Sequence, residues 1–110
     1  MKESKTYNAK GFVLGNYWGG GQGSYPSEDI HCGSKEEILK IAKAELKSGR
    51  LDSGMGYESL IGAILVIEEI TSIEHNGKIF TNSEQEISFV GDLSEEQKVF
   101  LEGVLYDSQF

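Results

Sequence analysis

Apolar residues recur along this chain at two periods, one fitting strands and one fitting helices. Residues 7–14, Tyr-Asn-Ala-Lys-Gly-Phe-Val-Leu, read as an opening strand that runs into a glycine cluster. Residues 25–31 return as a second strand, which Pro26 confines to a sheet edge or a strand start. Ser34-Lys35-Glu36-Glu37 is a capping box, in which Ser34 accepts from the backbone N–H of Glu37 and the Glu37 carboxylate reaches back to the cap. Behind it Ile38, Leu39, Ile41, Ala42 and Leu46 form one apolar stripe, and Lys35, Lys40, Lys43 and Lys47 mark the wet side. Gly49 stands where a helix closes on a left-handed residue. This predicts a helix over 35–48. Residues 57–62 fit a short helical turn or extended chain equally. From Ala63 to Glu74 the chain is rich in β-branched residues, and Asn76-Gly77 then supplies the two φ > 0 positions of a type I′ turn. A long hairpin over 63–90 follows, with Ile87 and Phe89 on one face. Glu68-Glu69 interrupts the alternation, which predicts a β-bulge there. Ser94-Glu95-Glu96-Gln97 is a second capping box, and Phe100, Leu101, Val104 and Leu105 follow at helical spacing. Gly103 weakens that helix by up to about 1 kcal/mol, yet the pattern predicts helix 95–107. The order β-β-α-β-β-α describes one α+β domain over 1–110. A four-stranded antiparallel sheet with both helices on one face would bury both apolar stripes.

Composition narrows the function classes. The chain carries 10 Lys/Arg against 18 Asp/Glu, a net charge of −8, and the charge is one-sided. Residues 1–50 hold eight Lys/Arg and six Asp/Glu, a net of +2, whereas residues 51–110 hold two Lys and twelve Asp/Glu, a net of −10. Such a chain gains no counterion release on nucleic acid, so no direct nucleic-acid binding is expected. The acidic half suits a basic partner or serves solubility alone. No run approaches the ~20 apolar residues of a membrane span, and no secretory signal opens the chain. A cytoplasmic protein is therefore expected. Cys32 is the single cysteine, and no Cys/His cluster offers a metal site. The core is modest for this length, so homo-oligomerisation would help it, and Phe110 needs the body of the protein or a neighbour to cover it.

Two glycine-rich loops carry the candidate chemistry. In Gly15-Asn16-Tyr17-Trp18-Gly19-Gly20-Gly21-Gln22-Gly23, five of nine residues are glycine. One reading is a plain hairpin tip; the other is close approach of a ligand to exposed backbone N–H groups. Asn16, Tyr17 and Trp18 on one side, Gly19, Gly20 and Gly21 at the tip, and Tyr25 on the other side could stack on a planar group or anchor a partner. No Gly-Lys-Ser/Thr follows, so this is no common phosphate loop and no cofactor is expected. The second loop, Leu51-Asp52-Ser53-Gly54-Met55-Gly56-Tyr57-Glu58, offers Asp52, Ser53, Tyr57 and Glu58 to a ligand's hydroxyl or amine groups, or simply connects helix to strand. Adjacent His31 and Cys32 point to opposite faces of an extended strand and make no nucleophile pair. With no privileged acid/base pair, no catalytic residue is assigned.

A short acidic chain with Tyr7-Asn8, the Gly15–Gly21 cluster and Leu51-Asp52-Ser53-Gly54-Met55-Gly56-Tyr57-Glu58 resembles small phage and prophage proteins of anti-defence character, of anti-CRISPR or antirestriction type. Tyr7-Asn8, Gly11, Gly15 and Trp18 are similar to the opening of antirestriction DNA mimics. The chain departs from those mimics by an inserted residue, a shorter length and a weaker acidic face. The resemblance implies a non-enzymatic inhibitor that binds a host defence protein or sequesters a nucleotide-like ligand. In the first case Glu95 and Glu96 are candidate partner contacts. A small enzyme acting on a phosphorylated or glycosidic substrate, and a self-assembling structural subunit, are the alternatives.

Overall fold

The long β-branched run forms the spine of the molecule. In the computed structural model, which describes residues 2–52 and 59–108, strand β4 runs without a break over Ser59–His75. Strand β1 (Lys2–Asn16) pairs antiparallel along its whole length on one side, from Lys2↔Glu74 to Asn16↔Ser59. Strand β5 (Lys78–Gly91) pairs on the other, from His75↔Lys78 to Gly62↔Gly91. The turn between them carries Asn76 at φ 53° and Gly77 at φ 75°, the left-handed pair that a type I′ turn requires. The outer side of β1 holds two short strands, β2 (Gln22–Pro26) and β3 (Ile30–Cys32). Among the described residues the sheet thus has five strands, in the order β2-β1-β4-β5, with β3 beside β2 along β1.

The element order is β-β-β-α-β-β-α, so the single strand predicted over 25–31 is divided in two. Pro26 ends β2, and Ser27 fills the gap before β3. The Ser27 N–H donates to the Gly11 carbonyl at 2.8 Å, and the Gly11 N–H donates to Ser27 Oγ at 2.8 Å. Both the backbone N–H and the hydroxyl oxygen of buried Ser27 are thereby hydrogen-bonded. The space is tight: a Cβ on Gly11 would come within 1.9 Å of the Ile64 carbonyl oxygen.

Both helices follow their capping signals. Helix α1 spans Lys35–Ser48, as predicted, with Ser34 Oγ accepting from the Glu37 N–H at 3.2 Å and Gly49 closing it at φ 79°. Helix α2 spans Glu95–Ser108, and its capping box is reciprocal. Gln97 N–H donates to Ser94 Oγ at 3.1 Å, and Ser94 N–H donates to Gln97 Oε1 at 2.8 Å.

The two helices do not share a face of the sheet, contrary to the arrangement expected from their stripes. Ala63, Leu65 and Ile67 pack with Ile38 and Ala42 of α1. Ile64, between them in sequence, packs with Leu101 and Leu105 of α2, as does half-buried Val66. Successive strand residues point to opposite faces, so α1 and α2 sandwich β4. The physical reason is the unbroken run Ala63–Ile67, which would leave Ile64 and Val66 wet if only one face were covered.

The predicted bulge at Glu68-Glu69 is absent, since the β4–β5 register there is continuous. Past Ile67 both faces are solvated, and two consecutive acids simply take one face each. Gln85 donates to Glu68 at 3.0 Å on one side, and Tyr7 donates to Glu69 at 2.9 Å on the other. The register instead shifts between Leu14 and Gly15 of β1, which leaves Ile61 as the extra residue of β4. Beyond the helices β1, β4 and β5 continue as a three-stranded ribbon. Lys2–Thr6 and Lys78–Ile87 are exposed there, and the molecule reaches 59 Å along its long axis.

Candidate functional site

The glycine cluster forms the β1–β2 turn. Gly20 N–H donates to the Tyr17 carbonyl and Tyr17 N–H to the Gly21 carbonyl, each at 3.1 Å. Gly19, Gly20 and Gly21 take φ of 93°, 102° and 90°, values that side-chain-bearing residues rarely adopt. Nothing lies within 4 Å of where their Cβ atoms would stand. Backbone geometry alone therefore accounts for these three. Gly23 serves packing: its missing Cβ makes room for the Tyr17 ring, whose hydroxyl would otherwise be 2.1 Å away. Trp18, at the apex, is 74% exposed.

Of the other residues proposed for a ligand site, Asn16 ends β1 and donates from Nδ2 to Ser59 Oγ at 3.0 Å. This bond ties the root of the glycine hairpin to the start of β4. Tyr25 lies opposite Val13 and packs on the α1 side. Asp52 bridges to Ser27. Ser53, Tyr57 and Glu58, like Phe110, lie outside the described residues. The hairpin tip, Tyr25 and Asp52 thus follow one another along the β1–β2 side of the sheet.

A neighbouring surface joins the hairpin to α2. Gln22, where β2 leaves the turn, forms an open groove of about 230 Å³ with Leu14, Glu96, Gln97 and Phe100. Phe100, expected in the core stripe, is 49% exposed at this groove. Leu101 and Leu105 are the buried side of α2, which turns Val99, Gly103 and Tyr106 outward one helical turn apart. Val99 is 66% exposed and Tyr106 52%. By helical geometry Glu95 and Glu102 flank this stripe on one side, and Glu96 and Asp107 on the other. The one basic residue of α2, Lys98, folds toward the sheet, 3.6 Å from Glu95 and 5.7 Å from the centre of the Phe89 ring. The outward side of α2 is consequently apolar along its middle and acidic along its edges. On the opposite side of the molecule α1 exposes Lys40, Lys43 and Lys47 together with Glu36 and Glu37.

One titrating cluster escaped the sequence reading because it depends on the β1–β4 register. Tyr7 lies opposite Glu69, and Lys5 Nζ is 3.4 Å from Glu69 Oε1. The hydrogen bond from Tyr7, assisted by Lys5, holds the Glu69 carboxyl below its ordinary value. The same carboxylate raises both Tyr7 and Lys5. Each polar group there is matched, which suits a ladder on a wet ribbon. Cys32 donates from Sγ to the Ser34 carbonyl at 3.1 Å. Among the described residues no three His, Cys, Asp or Glu converge as metal ligands, and no helix is long and apolar enough to cross a membrane. Comparisons with protein families, curated proteins and solved structures find no match for this chain.

Proposed function

We propose that this is a small non-enzymatic binding protein that docks a positively charged partner protein on the outward side of α2 and the adjoining glycine hairpin. The observation that carries this reading is the α2 stripe of Val99, Gly103 and Tyr106, exposed between Glu95 and Glu102 on one edge and Glu96 and Asp107 on the other. A helix that is apolar on both its packed and its outward sides leaves a face to be covered. Aromatic anchors within a charged rim are the usual anatomy of a protein interface. Gly103, without a side chain, lets a partner approach the helix backbone closely. Exposed Phe100 extends the same surface toward Gln22 at the base of the hairpin, whose apex carries exposed Trp18. An anionic nucleotide would meet four carboxylates here, so the charge favours a basic protein surface over sequestration of a nucleotide-like ligand. Together with the resemblance to phage anti-defence proteins, this reading makes the partner a host defence protein and the activity its inhibition.

The test compares capture from a bacterial lysate by the wild-type protein, by Val99→Lys/Tyr106→Lys, and by Lys43→Glu on the opposite side. The proposal expects a partner retained by wild type and Lys43→Glu, released by added salt, and bound at least about 30-fold more weakly by the α2 variant, as for an interface hot spot. Equal capture by all three overturns it.

A further inference from the structure

The two long edges of the sheet are treated differently. On the outer side of β1, β3 and β2 pair with Tyr7–Ala9 and Phe12–Asn16. On the outer side of β5 no described strand pairs. Proteins usually blunt such an edge with proline, a bulge, a short strand or inward charges. β5 has 14 residues, no proline and an unbroken register with β4. Its segment Ile79–Ser83, Ile-Phe-Thr-Asn-Ser, is uncharged, and every residue from Lys78 to Ile87 is exposed.

The turn fixes which backbone groups are available. A two-residue type I′ turn closes on a hydrogen-bonded pair, here His75 and Lys78. With no later bulge, even-numbered residues of β5 direct N–H and C=O toward β4, and odd-numbered residues from Ile79 to Ile87 direct them outward. Five residues therefore present a regular, unpaired ladder.

We propose that β5 pairs antiparallel with β5 of a second copy of this chain, about a two-fold axis through Ser83 and perpendicular to the sheet. The sequence is self-complementary in this register. Ile79, 72% exposed, falls opposite Ile87 of the second copy, itself 46% exposed, and the symmetry repeats the pair. Thr81 falls opposite Gln85. Lys78 falls opposite Ser88, diagonal to Glu86, and no two like charges face each other directly. Neighbouring registers are poorer. An axis through Glu84 sets that carboxylate against itself, one through Gln85 sets Glu84 against Glu86, and one through Asn82 loses both isoleucine pairs. The axis keeps like faces together, giving one continuous sheet with both α2 helices on the same side. Both copies then present the acidic α2 surface in one direction, and this dimer forms whether or not α2 binds a partner.

The test is sedimentation velocity from low to high micromolar protein. The expected species is twice 12.1 kDa, reverting to monomer in Ser83→Pro. That substitution removes an outward N–H and no bond to β4, and circular dichroism checks that the hairpin survives. A second variant, Ser83→Cys with Cys32→Ser, is expected to form a disulfide-linked dimer under mild oxidation, because facing Cα atoms of a hydrogen-bonded pair lie about 5.5 Å apart. The same exchange at Gln22 is expected to stay monomeric. A wild type that remains monomeric throughout overturns the proposal. So does a dimer that a folded Ser83→Pro leaves intact, or a failure of the Ser83→Cys variant to cross-link.

Discussion

Placing α1 and α2 on opposite faces of β4 makes a quantitative claim about energetic independence. Ile38→Val deletes one methylene from a fully buried side chain on the α1 side, at a cost of about 0.5–1.5 kcal/mol. Leu101→Ala empties a fully buried site on the α2 side, at about 2–5 kcal/mol. A domain of this size typically has about 5–15 kcal/mol of stability, so each single variant should remain folded. The packed layers stand about 10 Å off either face of the sheet, and sites this far apart with no shared partner add to within about 0.5 kcal/mol. The double variant should therefore cost the sum of the two. Urea unfolding measures this directly, provided the slope is unchanged between variants. The matched control is Ile38→Val with Leu65→Ala, two residues of one cluster, where coupling of about 0.5–3 kcal/mol is expected. A coupling above about 1 kcal/mol between Ile38 and Leu101 would mean that the helices share one core, and the two-sided arrangement would be refuted.

Four further substitutions test local features. Gly11→Ala should cost at least the roughly 1–3 kcal/mol of an overpacked core, because its Cβ meets the Ile64 carbonyl, whereas Gly33→Ala, which meets nothing, should stay within about 0.5 kcal/mol; thermal melts compare them. Ser94→Ala should destabilise α2 by about 0.5–2 kcal/mol, with amide exchange accelerating in its first turn. Tyr7→Phe removes the donor to Glu69, so the Glu69 carboxyl should titrate closer to its ordinary value in an NMR pH series. In the wild type the depressed Glu69 contributes stability that is present above the unfolded carboxyl value and lost as pH falls through the folded one. Raised Tyr7 and Lys5 contribute stability that is lost as pH rises through theirs, so the variant should flatten both limbs.

Local features were legible from sequence, and features that depend on register were not. Ser34, Gly49 and Ser94 marked the helix ends because a cap acts within four residues, and Asn76-Gly77 marked its turn for the same reason. The apolar run Ala63–Ile67 holds the sign of two-sided burial, but the one-faced expectation rested on the apolar stripes of both helices, which a single covered face of the sheet would also bury. Tyr7 meeting Glu69 could not be read, since it requires knowing that residue 7 lies beside residue 69. The glycine hairpin stood out in composition, yet its glycines follow from turn geometry and from the Tyr17 ring. Glu95 and Glu96 stood out as charge alone. What gives them context is the exposed Val99–Tyr106 stripe, visible only once Leu101 and Leu105 are seen to take the other side of α2.

The sheet order also sets a timetable for the chain as it is made. The β4–β5 hairpin is local and can zip from its turn in about 1–10 μs. β1 cannot follow so quickly, because Lys2 pairs with Glu74 and the intervening chain must first be closed into a loop. Phe12 and Leu14 pair with Ile64 and Gly62, so on a ribosome adding about 5–20 residues per second they emerge about 2.5–10 s before those partners. During that interval the apolar Phe12–Leu14 segment has no strand to pair with on its inner side. The inner side of that segment is covered once the first part of β4, Gly62–Ile64, has been made.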